Sequence, residues 1–396
     1  VKATVGGSPP SQLGLDSLLD FRMEVTLDGE TLSAAEIRLL LAQTEGLAFI
    51  RGKWVKIDPE RLSRTLGQFE TIERRAAAEG LSFGEAMRLL AGAGISGDPD
   101  HQADAEWSQT VAGPWLAQTL ADLRHPDGTR GVDPGRALAG TLRPYQQAGL
   151  QWLHLLARLG LGACLADDMG LGKTIQVLSL LLVLKQQAAG SRKPSLLVAP
   201  ASLLANWSSE IARFAPDLKA AVVHPSVMPA EALRSDGAEA LAGIDLAITS
   251  YGFLARVPWL AATSWRLAIL DEAQAIKNPG ARQTRTVKQL QADARIALTG
   301  TPIENRLGDL WSIFDFVNPG LLGSSRQFSS YAKRLADGDT PNPYGPLRDL
   351  VRPYILRRMK TDRSIIADLP DKAEVKAYCA LSRKQAALYQ QAVGEL

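Results

Sequence analysis

The sequence predicts an α/β fold, a parallel sheet flanked by helices with a helical extension, preceded by a small α+β domain. Two observations predict it. Beyond residue 141, short apolar runs alternate with longer helical stretches, as in repeated βαβ units. Glycine-rich, acidic or hydroxyl-bearing motifs directly follow some of these runs, and ligands bind where parallel strands end. The predicted strands are 162–166, 195–199, 220–223, 245–248, 266–270 and 295–298.

Length and composition indicate a folded chain of two or three domains. It has 396 residues, of which 46% are hydrophobic, which suffices for substantial cores. The net charge of +2 does not by itself indicate a polyanionic partner. Residues 1–100 carry 11 Lys and Arg against 15 Asp and Glu, a net charge of −4, so the remainder carries +6. A polyanion is therefore expected on the later part.

The cysteines and the hydropathy favour a cytoplasmic protein without a membrane partner. Cys164 and Cys379 lie in apolar contexts and form no disulfide framework, which fits a reducing compartment. No apolar run reaches the roughly 18 residues of a membrane span, and no signal peptide opens the chain. The start at Val1 and the end at Leu396, within a pattern, suggest a fragment of a longer protein.

The first part of the chain predicts structure but no catalysis. Residues 1–14 are polar and rich in Gly and Pro, which predicts a linker, and 15–110 predict the small α+β domain. Its helices start at a capping box Ser33–Glu36, at Asp58 before Pro59, and at a capping box Ser82–Glu85, and its hairpin spans Leu47–Ile57. A packing or interaction role is expected for it. Residues 111–140 predict a connector.

The later part holds the α/β domain, predicted over 141–320, and a helical protrusion with a basic block over 321–369. From Arg348 to Arg363 the block has six Lys or Arg against two Asp. The apolar stretch Tyr354–Leu356 within it suggests a partly buried helix. The block is either a solvated and packing face or a surface that contacts another macromolecule.

A glycine-rich motif follows the first predicted strand of the sheet. Gly170 and Gly172 allow backbone N–H groups to converge on phosphate oxygens without an intervening Cβ. Lys173 is expected to reach the β- and γ-phosphates of ATP, and the Thr174 hydroxyl to ligate Mg²⁺. The strict phosphate-loop pattern requires Gly where Asp167 stands, so the motif fits a variant that keeps only the near glycines. The alternative is a turn between a core strand and a core helix.

An acidic pair follows the apolar run 267–270. Asp271 is expected to hold the nucleotide-bound Mg²⁺, and Glu272 to orient or deprotonate the attacking water. An acidic pair at a strand end is otherwise a common solvated edge or helix cap. Its occurrence together with the glycine-rich motif predicts ATP hydrolysis, in which Lys173, Asp271 and Glu272 are the catalytic residues.

Three further polar residues are candidates for the same site. Gln146, at the start of a helix, has the donor and acceptor needed to read an adenine edge. Thr299 and Thr301 follow the last predicted strand and are expected to sense the γ-phosphate and transmit its presence. The alternatives are an ordinary helix start for Gln146 and a hydroxyl-bonded turn for the threonines.

These motifs and their order resemble the Swi/Snf-type ATPases, a branch of the superfamily-two helicases, in their bacterial form. The resemblance covers roughly residues 140–396, and more loosely 15–110. Its signature segments are LRPYQ (142–146), ADDMGLGKT (166–174), VAPASLLANW (198–207), ITSYG (248–252), DEAQAIKN (271–278), LTGTP (298–302), LWSIFDFVNPG (310–320) and RPYILRRMK (352–360).

The resemblance implies a RecA-like first motor lobe that binds ATP and Mg²⁺ and moves along double-stranded DNA, acting on a protein bound to it and associated with the nucleoid. It implies sequence-independent contacts to the DNA backbone from two segments, through Ser202, Asn206 and Trp207 in the first and Thr249 and Ser250 in the second. Lys277, directly after the acidic motif, is either a backbone contact or a loop brace.

One family feature has no counterpart here. A second lobe supplies arginines that complete the ATP site, and residues 370–396 resemble only the linker and the start of that lobe. Because such an arginine contributes about 10³ to 10⁵ in rate, slow hydrolysis is expected from these residues alone. Two other functions fit the sequence: a strand-separating or RNA-dependent helicase, and an ATP-responsive binding module that does not hydrolyse ATP.

Overall fold

The computed structural model describes residues 1–10, 14–27, 29–42, 47–93, 95, 108–124, 132–188, 193–229, 233, 241–301, 306–337, 342–362 and 381–394. The chain divides into two compact units, Val1–Met359 and Lys360–Leu396. The second contains one described helix, Arg383–Gly394. Cys379, and most of the stretch predicted as an inter-lobe linker, lie outside the described residues.

In its described residues, the N-terminal part of the first unit is built from short strands and four helices. A three-stranded sheet has the order β3-β1-β9, and three two-stranded sheets pair β2 with β8, β4 with β5 and β6 with β7. The strands are β1 Lys2–Val5, β2 Leu18–Leu19, β3 Phe21–Glu24, β4 Thr26–Leu27, β5 Glu30–Thr31, β6 Leu47–Ile50, β7 Lys53–Lys56, β8 Leu81–Ser82 and β9 Gln109–Ala112. The helices are α1 Ala34–Leu41, α2 Pro59–Glu79, α3 Phe83–Leu90 and α4 Pro114–Arg124.

The capping residues fix the helix starts where the sequence predicts them. Ser33 and Ser82 each accept the N–H three residues ahead, and Glu36 and Glu85 accept the cap N–H in return. Asp58 caps α2 in front of Pro59. These side chains satisfy N–H groups that have no partner inside a helix.

Two expectations for this part are wrong. The sequence predicts a linker over 1–14, but Lys2–Val5 is a strand that pairs antiparallel with β3 and parallel with β9. It predicts a connector over 111–140, but Pro114–Arg124 is a helix with a buried side on Leu116, Leu120 and Leu123. Both short elements are stabilised by partners distant in sequence, which local composition does not reveal.

The α/β part contains a seven-stranded sheet of the order β12-β13-β11-β14-β15-β10-β16, parallel throughout. Its strands are β10 Ala163–Leu165, β11 Ser195–Ala199, β12 Ala220–Val222, β13 Leu246–Ser250, β14 Ser264–Leu270, β15 Gln291–Leu298 and β16 Ile355–Leu356. Strands β10, β11 and β13 are buried along their whole length, as parallel strands covered on both faces are. The predicted α/β fold is confirmed.

Helices connect and cover these strands. They are α5 Pro144–Arg158, α6 Lys173–Gln187, α7 Leu204–Phe214, α8 Tyr251–Leu254, α9 Pro258–Ala262, α10 Arg282–Lys288, α11 Leu307–Val317, α12 Ser325–Asp337 and α13 Gly345–Val351. Short 3₁₀ turns occupy Gly135–Ala137, Ala201–Leu203, Ala273–Ile276 and Arg352–Tyr354. Within the described residues, no helix has both the length and the apolar character needed to cross a bilayer.

The basic block does not form the predicted helix around Tyr354–Leu356. Arg352–Tyr354 is a 3₁₀ turn, and Ile355 and Leu356 pair in parallel with Cys164 and Leu165 of β10. Tyr354 is fully buried. Two residues are too few for a strand pattern to show in the sequence. The strand forms because β10, paired with β15 on one side, has backbone groups to pair on the other.

Candidate nucleotide-binding site

Three neighbouring strands bring the predicted motifs to one edge of the sheet. Strand β15 lies between β14 and β10, and all three run in the same direction. The segments that leave their carboxyl ends are the glycine-rich loop after β10, the acidic pair after β14 and the threonines after β15. The topology therefore places all three motifs at the edge where doubly wound sheets bind ligands.

The glycine-rich loop has the backbone that a phosphate cradle requires. Gly170 and Gly172 have φ angles of 84° and 79°, in the left-handed region, and α6 begins at Lys173. A side chain at Gly172 would strain the left-handed backbone, and its Cβ, 2.4 Å from Gln146 Nε2, would displace that amide. The N-terminal end of α6 adds free N–H groups and a positive dipole end. These residues fit a phosphate-bearing ligand.

Lys173 is half-buried and lies among carboxylates. Its Nζ donates to the backbone carbonyl of Asp167 over 2.6 Å. Burial lowers the pKa of Lys173, while Asp167, Glu272, Asp271 and Asp168 all raise it through their charges. The lysine and the acidic pair, about a hundred residues apart in sequence, therefore share one electrostatic environment.

The acidic pair turns at a strained residue. Glu272 has a φ of 49°, one of the positive φ angles found outside glycine in the described residues. Because L residues rarely adopt this conformation, its cost is the kind that persists at functional sites. The turn follows β14 directly, so the carboxylates of Asp271 and Glu272 need not point to opposite faces as adjacent strand residues do.

Asp271 is held from several sides. Its Oδ2 accepts the Trp207 indole N–H over 2.7 Å, and its Oδ1 accepts the Glu272 N–H over 2.9 Å. The Tyr251 hydroxyl donates to the Asp271 carbonyl over 2.8 Å. Burial raises the pKa of Asp271, partly offset by the bond from Trp207. Two carboxylates beside a half-buried lysine are a donor set suited to Mg²⁺, which prefers oxygen ligands.

A chain of hydrogen bonds joins the acidic pair to the threonines. Gln274 Nε2 donates to Glu272 Oε2 over 2.6 Å, and the Thr299 hydroxyl donates to Gln274 Oε1 over 3.0 Å. Thr299 Oγ1 also accepts the Thr301 N–H over 3.1 Å, the hydroxyl-bonded turn that the sequence leaves open as an alternative. Thr299 is therefore a turn residue that is also linked to Glu272 through Gln274, and Thr301 is exposed.

Gln146 lies against the loop, with part of its amide already engaged. Oε1 accepts the Arg143 N–H over 2.9 Å, and Nε2 donates to the Leu171 carbonyl over 3.1 Å. Nε2 also donates to the Tyr145 hydroxyl over 3.4 Å, so both of its hydrogens are engaged, whereas Oε1 keeps one acceptor lone pair. Thr174 is the second residue of α6, directly after Lys173.

The predicted DNA-contact residues fall into two groups. Trp207 is 2% exposed and Thr249 is fully buried, with its hydroxyl donating to the Val223 carbonyl over 2.9 Å. Ser250 is also buried. By contrast, Ser202, Asn206 and Lys277 are exposed.

The burial of Trp207, Thr249 and Ser250 leaves them no exposed side chain for DNA in this structure, and the DNA contacts of their two segments stay predictions. Trp207 shares the inner face of α7 with Leu204 and Ile211, at the spacing of one helical turn, and its N–H is directed to Asp271. Thr249 lies within the fully buried strand β13.

The sequence analysis missed one buried residue that borders the site. Arg358, treated there as part of a basic block, pairs with Asp167 at the start of the glycine-rich loop. The sequence contains one signal of it: a charged residue, Asp167, stands between an apolar strand and the loop, where the strict pattern has glycine. A buried aspartate needs a cationic partner.

Comparison with protein families decides the relationship of the chain. A family model described as SNF2-related domain matches residues 145–395, more than half of the sequence. The chain belongs to the SNF2-related family. A second model, described as SNF2 Helicase protein, matches residues 1–91. The Swi/Snf resemblance drawn from the motifs is confirmed.

Relatives of this SNF2-related chain occur in bacteria and plants. The candidate ATP-dependent helicase/translocase YwqA of Bacillus subtilis is 37% identical over 405 residues, covering 99% of this chain and 43% of YwqA. The chromatin-remodeling ATPase INO80 of Arabidopsis thaliana is 36% identical over 290 residues, covering 68% of this chain and 19% of INO80. The chain thus spans less than half the length of these relatives.

Solved structures agree with the RecA-like fold. The Sulfolobus solfataricus SWI2/SNF2 ATPase core domain is 41% identical, with a TM-score of 0.54 over 68% of this chain and 54% of that one. The same core in complex with double-stranded DNA is 43% identical, with a TM-score of 0.53 over 65% of this chain and 53% of that one.

Proposed function

We propose that this chain is the ATP-binding first lobe, with an N-terminal domain, of a DNA-dependent ATPase that translocates on duplex DNA or remodels nucleoprotein complexes. The observation that carries the proposal is the meeting of Lys173 with Asp271 and Glu272 at the carboxyl edge of the sheet. The relatives named as helicase/translocase and chromatin-remodeling ATPase, and the related core in complex with double-stranded DNA, support it.

Each residue has a role that follows from its position. The loop glycines and the start of α6 bind the phosphates, and Lys173 neutralises the β- and γ-phosphates. Gln146 reads adenine with the remaining lone pair of Oε1 and with an Nε2 hydrogen that exchanges its long bond to the Tyr145 hydroxyl for one to the base. Thr174 and Asp271 would hold Mg²⁺, which when bound neutralises charge on the phosphates.

Glu272 orients the attacking water and accepts its proton. Its bond to Gln274, and through it to Thr299, supports coupling between hydrolysis and the segment after β15. Ser202, Asn206 and Lys277 remain the candidates for contact with the DNA backbone, since their exposure leaves them accessible. Backbone contacts carry no sequence information, so duplex of any sequence would serve.

The decisive experiment measures ATP hydrolysis by the full-length protein with duplex DNA, single strands and RNA. The Lys173→Ala variant is expected to lose ATP binding, and Glu272→Gln to bind ATP while losing at least about 10²-fold in kcat, as removal of a general base does. Duplex DNA is expected to stimulate hydrolysis most. A matched control is Lys193→Ala, which removes an exposed ion pair to Asp293 outside the site.

Each alternative predicts a different result. Strongest stimulation by RNA, or separation of strands, would replace the duplex translocase with a helicase. Retention of the biological role by Lys173→Ala and Glu272→Gln would favour a binding module. The 396-residue chain contains no counterpart of the second-lobe arginine motif, so we expect it to bind ATP and turn it over slowly. Fast, DNA-stimulated turnover by this chain would contradict that expectation.

A further inference from the structure

A buried arginine lies behind the glycine-rich loop, outside the residues given a role above. Arg358 is 6% exposed and its partner Asp167 is fully buried. Arg358 Nε donates to Asp167 Oδ1 over 2.9 Å, and Nη2 donates to Asp167 Oδ2. The Arg358 backbone N–H also donates to Asp167 Oδ1, over 3.1 Å. One residue therefore holds this carboxylate with both its side chain and its main chain.

The same guanidinium reaches two other segments of the site. Nη1 donates to the Tyr145 carbonyl, next to Gln146, and Nη2 donates to Gln176 Oε1 over 2.8 Å. Gln176 Nε2 in turn donates to Asp167 Oδ2 over 3.3 Å. We call Arg358, Asp167, Gln176 and the Tyr145 carbonyl the Arg358 cluster. It ties together the start of α5, the start of the loop and the first turn of α6.

The Arg358 cluster is packed without spare room. A Cβ on Gly149 of α5 would lie 1.9 Å from Gln176 Oε1 and 2.9 Å from Arg358 Nη2. The helix therefore approaches as closely as a glycine permits. Arginine is suited to this position, because its planar fork can bind a carboxylate with two parallel bonds and a carbonyl with a third donor, whereas lysine offers a point charge.

The Arg358 cluster acts on the lysine that meets the nucleotide. The carboxylate of Asp167 is held by Arg358, and the backbone carbonyl of Asp167 accepts Lys173 Nζ. A buried ion pair gives little net stability over a well-packed apolar pair, so stability alone does not account for it. What an apolar pair does not supply is a fixed place for the Asp167 backbone.

We propose that Arg358 is a positioning residue for the phosphate loop: through Asp167, Tyr145 and Gln176 it fixes where Lys173 and Gln146 meet the nucleotide. The inference rests on the proposed function, since it assigns a further residue to the same site. Arg358 precedes by two positions the residue Lys360, where the second compact unit begins. The loop is therefore positioned by the last segment of the first unit.

The experiment separates positioning from simple stabilisation. The double variant Asp167→Leu/Arg358→Met removes both charges and leaves none buried alone, so its melting temperature is expected to stay near that of the parent chain. Its affinity for ATP, measured by calorimetric titration of the 396-residue chain, is expected to fall about 10- to 100-fold, because loss of a hydrogen bond to a charged group has an effect of this size. Arg358→Lys keeps the positive charge but not the planar guanidinium, and its ATP affinity is expected to lie between those of the parent chain and the double variant.

The matched control removes a different ion pair, one that α6 itself makes. Lys185 Nζ donates to Asp245 Oδ2 over 2.7 Å, near the end of that helix away from the loop. The double variant Lys185→Met/Asp245→Leu is expected to bind ATP as the parent chain does.

The outcomes distinguish this inference from the proposed function. Failure of the parent chain to bind ATP would overturn the proposed function. Binding by the parent chain, together with an affinity of the folded Asp167→Leu/Arg358→Met variant within about twofold of it, would overturn the inference alone. If that double variant does not fold, Arg358→Lys provides the test. An ATP affinity of folded Arg358→Lys within about twofold of the parent chain would overturn the positioning role of the guanidinium.

Discussion

Asp271 stands between two opposing influences on its charge. Burial favours its neutral form and raises the pKa, whereas the indole N–H of Trp207 favours the carboxylate. Holding Mg²⁺ requires the carboxylate. The position of Trp207 beside Asp271 thus gives it a part in keeping Asp271 ionised.

We predict that the Mg²⁺-dependent part of ATP binding is lost on acidification at a higher pH than an ordinary aspartate would give, and at a still higher pH in Trp207→Phe. The measurement is ATP affinity against pH, with and without Mg²⁺, so that titration of ATP itself is subtracted. Trp259→Phe, whose indole N–H donates to the Leu233 carbonyl, is the matched control. Identical pH profiles for all three proteins would contradict the role given to Trp207.

The pH dependence that Asp271 gives to the stability of the fold is opposite in sign to the one it gives to ATP binding. A raised carboxyl pKa means that the folded protein holds the proton more tightly than the unfolded chain. The contribution of Asp271 to stability therefore decreases as the pH rises from its ordinary pKa of 3.8 through the raised value. In the absence of ligand, Asp271→Asn is expected to unfold at a higher temperature than the parent chain at neutral pH. This difference is expected to vanish below pH 3.8, where the Asp271 carboxyl is protonated in both the folded and the unfolded protein.

At the scale of elements, the way in which the glycine-rich loop joins β10 to α6 determines the position of Lys173. Gly172 caps α6 in a left-handed conformation, and a Cβ there would displace the Gln146 amide. The turn thus fixes both the direction of the helix axis and the place of Lys173 at its first position.

We predict that Gly172→Ala weakens ATP binding and destabilises the chain. The left-handed conformation costs a residue with a Cβ about 1–2 kcal/mol, and the new Cβ displaces Gln146. Gly67→Ala is the matched control, since Gly67 lies in α2 with open space around it and alanine there is expected to add about 0.5–1 kcal/mol of stability. Thermal unfolding and ATP titration of both variants provide the test. Unchanged ATP affinity in Gly172→Ala would show that the loop tolerates a Cβ.

At the scale of the whole first unit, the N-terminal part has two distinct cores. Leu81, Phe83, Met87 and Leu116 belong to the large cluster that also fills the α/β part. A separate cluster includes Val25, Leu32, Leu40, Ala48, Ile50, Ile57, Leu62 and Leu66. Arg88 strengthens the first connection, since its Nη1 donates to the Gly320 carbonyl after α11 over 2.6 Å. One portion of this domain is therefore packed into the α/β part, and the other has its own core.

We predict different consequences for the same substitution in the two cores. Leu116→Ala and Leu40→Ala each remove a buried leucine, at a cost of about 2–5 kcal/mol. Leu116→Ala is expected to lower the main unfolding transition, because its cluster is continuous with the core of the α/β part. Leu40→Ala is expected to speed hydrogen exchange within residues 25–66 and leave that transition in place. Equal effects on the main transition would indicate a single cooperative core.

The sequence by itself determined most of the seven-stranded sheet, the helix caps and the motifs that gather at the candidate site. Their signals are local: apolar runs bounded by turns, a side-chain oxygen three residues before its N–H, and glycines directly before a lysine. The tertiary structure alone decided which charges are buried together and which aromatic residues turn inward. Arg358 and Asp167 are 191 positions apart, and a basic block reads the same whether its arginines face water or an aspartate. Likewise β1 and β16 exist only because a distant strand offers unpaired backbone groups, which four or two residues of sequence do not encode.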